Sequence, residues 1–134
     1  MFKFDETTPF ILIARVTVKA DCIEKYIQLA KITDDLVNRS EPQMLHHTFD
    51  QDIDNATLFT WSELYANDNA LIYHINNPVV IDYLEKHIEL SESFTIEVYG
   101  TISNDCENLL RSLNFPLKLY RSVCGYTKID TVVL

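Results

Sequence analysis

The order of strand and helix patterns along the chain is the feature that most constrains its fold. Apolar residues alternate with a period of two in four segments and recur at helical spacing in two others. The strand patterns cover residues 10–18, 44–50, 57–65 and 94–102, and the helical patterns cover residues 21–40 and 68–88. This β-α-β-β-α-β order predicts an α+β, ferredoxin-like fold, with a four-stranded antiparallel sheet and two helices on one face.

Polar residues and prolines mark where the helices begin and end. Asp21 precedes a glutamate by three residues, which is the spacing of a capping box, so we expect Asp21 to cap the first helix. Pro42 follows the end of that helix, because the residue before a proline avoids the helical conformation. Asn67 or Asp68 is expected to cap the second helix, and Asn77-Pro78 interrupts and restarts it.

Two helices on one face would leave the other face of the sheet bare. Ile11, Ile13 and Tyr99 are candidates for that face, which would then be only half polar. A bare and partly apolar sheet face usually marks an interface. We therefore expect the protein to form a homodimer through this face.

A C-terminal extension, residues 104–134, follows the predicted domain of residues 9–103. It contains a helix candidate at residues 106–113 and strand-like segments at residues 117–123 and 126–134. The whole chain has a net charge of −9, yet the stretch after residue 107 holds four basic residues and one acidic residue. We expect the extension to dock on the acidic body of its own subunit or on a partner subunit.

Composition argues against several classes of function. A net charge of −9 disfavours nucleic-acid binding, and two glycines are too few for a phosphate-binding loop. No apolar run approaches the ~20 residues of a membrane span, and the N-terminus lacks a signal-peptide pattern. The three cysteines form no paired motif, and no two histidines are four residues apart. We expect a cytoplasmic protein without a metal site, bound to neither membrane nor nucleic acid.

The third strand and the helix after it carry the residues best suited to chemistry. Alternation places on one strand face the residues Phe59, Trp61, Glu63 and Tyr65. A carboxylate among aromatic side chains costs several kcal/mol unless it is hydrogen-bonded or exposed. One interpretation is structural: Glu63 emerges at the sheet edge or pairs with Arg15, and His74 on the next helix is a core histidine. The other is that Glu63 and His74 belong to a site.

The same residues resemble the signature of a known family. The pattern Phe59-x-x-x-Glu63-x-Tyr65, followed by Ala70 and His74, is similar to the aromatic–Glu-x-Trp…Ala…His signature of antibiotic biosynthesis monooxygenase (ABM) domains. The opening strand and Ser40-Glu41-Pro42 before the second strand also resemble this family. The resemblance covers about residues 9–103 and implies a homodimer whose sheets join as a dimeric α/β barrel.

The resemblance also implies an activity. ABM members include oxygenases of quinols and anthrones that use O2 without flavin, haem or metal, so no cofactor is expected. It implies two catalytic residues, His74 and Glu63, and three substrate-binding residues, Trp61, Tyr65 and Phe59. Haem-degrading relatives use an asparagine and a histidine at positions that here match Ala14 and Leu84. Haem degradation is therefore disfavoured.

Three classes of function remain open. The first is a cofactor-independent monooxygenase that oxidises a small phenolic, quinol or anthrone-type substrate with O2. The second is a non-catalytic small-ligand-binding dimer, and the third is an interaction protein whose pocket is filled by side chains. A cavity between the sheet and the helix of His74 would favour the first two classes, whereas solid packing would favour the third.

Overall fold

The structure, a computed structural model, describes residues 2–129. Its elements are β1 (Phe10–Val18), α1 (Ile23–Ser40), β2 (Met44–Gln51), β3 (Leu58–Tyr65), α2 (Asp68–Asn76), α3 (Pro78–Leu90), β4 (Ser91–Tyr99), α4 (Asn104–Ser112) and β5 (Leu117–Tyr120). The predicted α+β, β-α-β-β-α-β order is confirmed, with the second helical pattern split into α2 and α3. No helix in the described range is long and apolar enough to cross a bilayer.

The sheet has five strands in the order β2-β3-β1-β4-β5, which are the four expected strands and one more from the C-terminal extension. The first four strands pair antiparallel, as in the ferredoxin-like unit, and β5 adds parallel to β4. The fifth strand comes from the extension and is shorter than the predicted segment 117–123. Residues 126–129 form no strand, and the rest of the segment 126–134 lies outside the described residues.

The core lies between the sheet and the helices. Along β1, the alternate residues from Phe10 to Val18 are buried under the helices, and the residues between them face the other side. Burial of each large apolar side chain stabilises the fold by about 1.5–3 kcal/mol. On the uncovered face, Ile11 keeps 45% of its surface exposed. Leu64 and Tyr99 flank it on β3 and β4 in the ladder register.

The helix ends follow the predicted caps with one exception. Asn67 caps α2 and Asn77 caps α3, each accepting a hydrogen bond from a backbone N–H of the first turn, and Pro78 opens α3. Asp21 does not cap α1, so that prediction is wrong. The helix begins after Cys22, whose side chain makes no cap bond and instead donates its thiol to the Asp21 carboxylate.

The extension joins the core of its own subunit. Asp68 anchors its start by accepting hydrogen bonds from the backbone N–H of Ser103 at 2.9 Å and from the Ser103 hydroxyl at 2.7 Å. Cys106 and Leu110 of α4 are fully buried. Apolar packing and the two hydrogen bonds to Asp68 hold the start of the extension on the body of its own subunit. The division of the chain at residue 104 into two segments stays a prediction.

Candidate functional site

A cavity of about 60 Å³ lies between the sheet and the helices. The sheet contributes Leu12, Ala14, His47, Trp61, Glu63, Phe94 and Ile96 to its lining. The helices and the extension contribute Thr33, Leu71, His74, Ile75, Val80, Tyr83, Leu84, Leu110, Leu113 and Phe115. An apolar lining with a few convergent polar groups is the usual composition of a small-molecule site. The space under the helix of His74 is therefore not packed solid.

Glu63 and His74 meet at the wall of this cavity. Glu63 lies on β3 and is 5% exposed, and His74 lies in the last turn of α2. The two side chains approach to 3.7 Å between His74 Nε2 and Glu63 Oε1. Strand alternation puts Tyr65 on the same face as Glu63, and its hydroxyl donates to the same carboxylate oxygen. The buried carboxylate thus accepts a hydrogen bond from a phenol and lies at ion-pair distance from an imidazole.

Glu41 holds the other side of the imidazole ring. His74 Nδ1 lies 2.9 and 3.0 Å from the two carboxylate oxygens of Glu41, which is 4% exposed. Asn77 donates its side-chain amide to Glu41 Oε2 at 2.8 Å. A carboxylate at Nδ1 makes that nitrogen the donor and directs Nε2 towards Glu63. The sequence indicated only that Glu41 ends a helix, because a contact between residues 41 and 74 depends on how the two helices sit together.

These carboxylates also decide the charge of the histidine. Burial lowers the pKa of His74, but the hydrogen bond to Glu41 and the charges of Glu63 and Glu41 raise it by more. The net result is a pKa above the ordinary value of 6.5. Burial, and then the charge of Glu63, raises the pKa of Tyr65 well above its usual value, so Tyr65 stays a neutral donor. An imidazolium between two carboxylates can stabilise a negative charge that forms beside it.

His47 is a second histidine at the cavity, and the sequence analysis did not select it. Its ring stacks on Trp61 at 4.5 Å, lies 6.1 Å from the His74 ring, and pairs through Nδ1 with Asp34 at 2.8 Å. In the β2–β3 hairpin His47 lies directly opposite Glu63. Pairing the two predicted strands outwards from the turn between them would have placed His47 opposite Glu63.

Hydrogen bonds behind the cavity wall hold Trp61 in place. Its indole N–H donates to the Tyr83 hydroxyl at 2.9 Å, and that hydroxyl is bonded to the Tyr26 hydroxyl. Tyr26 in turn is bonded to His87 Nδ1 at 2.6 Å. Burial lowers the pKa of His87 to about 4, so His87 is neutral. The Ser91 hydroxyl donates to the His87 carbonyl and therefore accepts from Nε2, which leaves Nδ1 to accept from Tyr26. The indole therefore forms a rigid wall of the cavity.

The remaining residues selected from the sequence lie away from the cavity. Phe59 does not line it; the ring packs between Phe49, at 4.6 Å, and Tyr26, at 6.4 Å. Tyr65 does not line it either and reaches it only through its bond to Glu63. Arg15 pairs with Glu97 at 2.7 Å on the uncovered face, so the alternative pairing of Arg15 with Glu63 is wrong.

Ala14 and Leu84 occupy the positions at which haem-degrading relatives carry an asparagine and a histidine. Both line the cavity as apolar side chains. Within residues 2–129, no group of three or more histidine, cysteine or acidic side chains is arranged to hold a metal ion.

Solved structures with the same fold bear names that point to one family. A protein of Nitrosomonas europaea, provisionally named an antibiotic biosynthesis monooxygenase, superposes with a TM-score of 0.67 at 19% identity, over 75% of this chain and 93% of its own. A protein of Caulobacter crescentus with the same provisional name gives 0.67 at 16% identity, over 70% and 90%. This chain therefore shares the fold of two proteins that bear this provisional name. No family model matches the sequence.

An uncharacterised curated protein of Synechocystis is similar in sequence to this chain. It is 28% identical over 92 residues, which are 68% of this chain and 62% of the relative. The chain thus spans about three fifths of the length of that relative.

Proposed function

We propose that this chain is a cofactor-independent monooxygenase that oxidises a small phenolic or quinol substrate with O2. The observation that carries the proposal is the array of Glu63, His74 and Glu41 beside an apolar cavity with an aromatic wall. The provisional names of the structures with this fold support an oxygenase. Of the substrates implied by the family resemblance, a single ring requires less expansion of the cavity of about 60 Å³ than a three-ring anthrone does, since benzene alone occupies a cavity of about 150 Å³.

In the proposed reaction the substrate ring lies against Trp61, with its hydroxyl at Glu63. The Glu63 carboxylate accepts the hydroxyl proton as a general base, and the His74 imidazolium compensates the charge of the phenolate. Glu41 is a positioning residue, because it acts through His74. The cavity also limits access of water to the reactive anion.

The substrate supplies all the electrons for reduction of O2. The electron-rich phenolate transfers an electron to O2, and the two radicals combine to form a C–O bond as a ring hydroperoxide. Elimination then breaks the O–O bond, and His74 protonates the oxygen that leaves as water. The ring carbon gains a carbonyl oxygen, and the two protons lost by the substrate, from its hydroxyl and its ring carbon, leave in the water.

Oxygen consumption by the purified full chain tests this proposal. With hydroquinone and no added flavin or metal, we expect consumption faster than autoxidation in buffer. Glu63→Gln should lower the rate by about 10²–10⁴-fold, since general-base catalysis contributes that much. His74→Ala should lower it as well. His46→Ala is the matched control, because this exposed residue faces the other side of β2 and should leave the rate unchanged.

Two results would contradict the oxygenase and select an alternative. If the protein binds phenols by calorimetry but leaves their autoxidation rate unchanged, it is a non-catalytic ligand-binding protein. If it binds none of a panel of phenols and quinols, the cavity is a packing feature of an interaction protein.

A further inference from the structure

One wall of the cavity is built by the C-terminal extension. Leu110, Leu113 and Phe115 all line it, and the Phe115 ring packs on Phe94 of β4 with centroids 4.8 Å apart. Leu110 is fully buried, whereas Leu113 and Phe115 are partly buried. The extension therefore limits the volume of the candidate site directly.

A tight turn places these side chains. The helix α4 ends at Ser112, and Asn114 has a φ of +61°, in the left-handed region that asparagine tolerates better than most residues. The backbone reverses at this residue, so Leu113 before it and Phe115 after it both face the cavity. The backbone carbonyl of Pro116, which follows Phe115, accepts a hydrogen bond from the backbone N–H of Ile96 at 2.9 Å. This bond fastens the β5 side of the turn to the sheet, and on the other side the N–H groups of Leu113 and Asn114 donate to carbonyls of α4.

This wall lies outside the β-α-β-β-α-β unit, which ends with β4 at Tyr99. The six-element unit from β1 to β4 is the part expected for an ABM-like fold. The wall from the extension is therefore an addition to that unit.

The wall leaves less room than one aromatic ring requires. The cavity has a volume of about 60 Å³, compared with the roughly 150 Å³ of a protein cavity that takes up benzene. A ring can enter only if part of the lining moves. Leu113 and Phe115 are partly buried members of the lining, and the turn that carries them lies at the surface, where Asn114 is exposed.

We propose that Leu113 and Phe115 are specificity-determining residues, which limit the ligand of this site to a single aromatic ring. A one-ring ligand is accommodated when the turn between α4 and β5 shifts outward, whereas a fused two-ring ligand meets the Phe115 ring. The inference rests on the proposed function only for the choice of a phenolic ligand.

Binding of phenol and 1-naphthol to the full chain, measured by calorimetry, tests this role. We expect the wild type to bind phenol at least about tenfold more tightly than 1-naphthol, a ratio within reach of pocket shape. Phe115→Ala should remove or invert this preference, and Leu113→Ala should reduce it. Leu109→Ala is the matched control, since Leu109 lies on α4 and packs on the core without lining the cavity. Its preference should equal that of the wild type.

The measurement separates this inference from the proposed chemistry. Binding needs no turnover, so a change of preference in Phe115→Ala supports the size limit even if neither protein consumes oxygen. Equal binding of both compounds by the wild type, no binding of either, or an unchanged preference in a folded Phe115→Ala overturns it. If Phe115→Ala fails to fold, Phe115→Leu serves instead, and it should show a smaller shift in the same direction.

Discussion

At the scale of residues, two largely buried histidines have opposite pKa shifts because their partners differ. Burial alone lowers the pKa of His87 to about 4, since its ring contacts only neutral groups, the hydroxyls of Tyr26 and Ser91. Burial also acts on His74, but the carboxylates on both sides of the ring raise its pKa by more. One histidine is thereby a neutral structural acceptor, and the other is a candidate cation at the cavity.

Glu41→Gln tests which carboxylate contact controls His74. The substitution removes the hydrogen bond to an anion and the charge that raise the pKa of His74, and it leaves burial in place. We expect the pKa of His74, measured by NMR titration of the imidazole, to fall below its wild-type value. Asp34→Asn is the control, because it changes the partner of His47 and leaves the contacts of His74 intact. An unchanged titration in Glu41→Gln would show that Glu41 does not set the charge of this ring.

His87 should make the free energy of unfolding depend on pH. Its folded pKa of about 4 lies below the unfolded value of 6.5, so the unfolded chain takes up the proton first. The contribution of His87 to stability is therefore complete above pH 6.5 and is lost as the pH falls towards 4, by about 3 kcal/mol at 1.36 kcal/mol per pKa unit.

Urea unfolding at a series of pH values checks this contribution. Because carboxylates also titrate in this range, the difference between wild type and His87→Gln isolates the contribution of His87. The variant should be less stable at pH 7 but lose less stability on acidification. His46→Gln, at an exposed histidine, should follow the wild-type curve. Parallel curves for wild type and His87→Gln would refute the assignment.

At the scale of elements, the sequence predicted those features that depend on residues close together in the chain. Strand alternation and helical spacing gave the order from β1 to β4, and Asn67 and Asn77 cap as their residue type suggests. The prediction that Asp21 caps α1 was wrong, because a capping residue needs an extended backbone conformation at the start of the helix. The chain instead enters α1 through a turn in which the Cys22 N–H donates to the Lys19 carbonyl at 2.8 Å.

Only the part of the candidate site that lies on a single element could be predicted from the sequence. The face of β3 with Trp61 and Glu63 follows from alternation, and the family resemblance added His74. Glu41 and His47 were missed, because their positions depend on strand register and on how α1 sits against α2. The wall from the extension was missed for the same reason, since only the folded chain brings Phe115 to Phe94.

Asn67, which caps α2, and Asp21, which was predicted to cap α1 but does not, provide a matched pair of substitutions. Asn67→Ala should lower the free energy of unfolding by about 1 kcal/mol, because the side chain satisfies the Ala70 N–H at 2.9 Å. Asp21→Ala should leave it nearly unchanged, since Asp21 accepts no backbone N–H of α1. Urea unfolding of both variants at neutral pH measures the difference. Equal losses of unfolding free energy would mean that the hydrogen bond accepted by Asn67 adds no stability beyond what Asp21 provides.

At the scale of the whole molecule, one face of the five-stranded sheet carries no helix within residues 2–129. The helices cover the opposite face, and β5 widens the sheet at its edge. Ile11, Leu64 and Tyr99 are neighbours across β3, β1 and β4 there, and Tyr120 stacks on Tyr99 at 4.8 Å. A contiguous apolar region of this kind marks a contact surface. We propose that two copies of the chain associate through it as a homodimer.

Light scattering on the full chain at micromolar concentration tests this association, with an expected mass of twice 15.6 kDa. Ile11→Lys should shift the mass towards the monomer, because it places a charge within the proposed apolar contact, where an unpaired charge is costly. Ile53→Lys is the matched control. Ile53 is 97% exposed in the turn between β2 and β3, away from this region of the sheet, and its substitution should leave the dimer intact. A wild-type chain that elutes and scatters as a monomer would refute the dimer. Dissociation by both lysine variants would instead mean that added charge, rather than the sheet face, disrupts association.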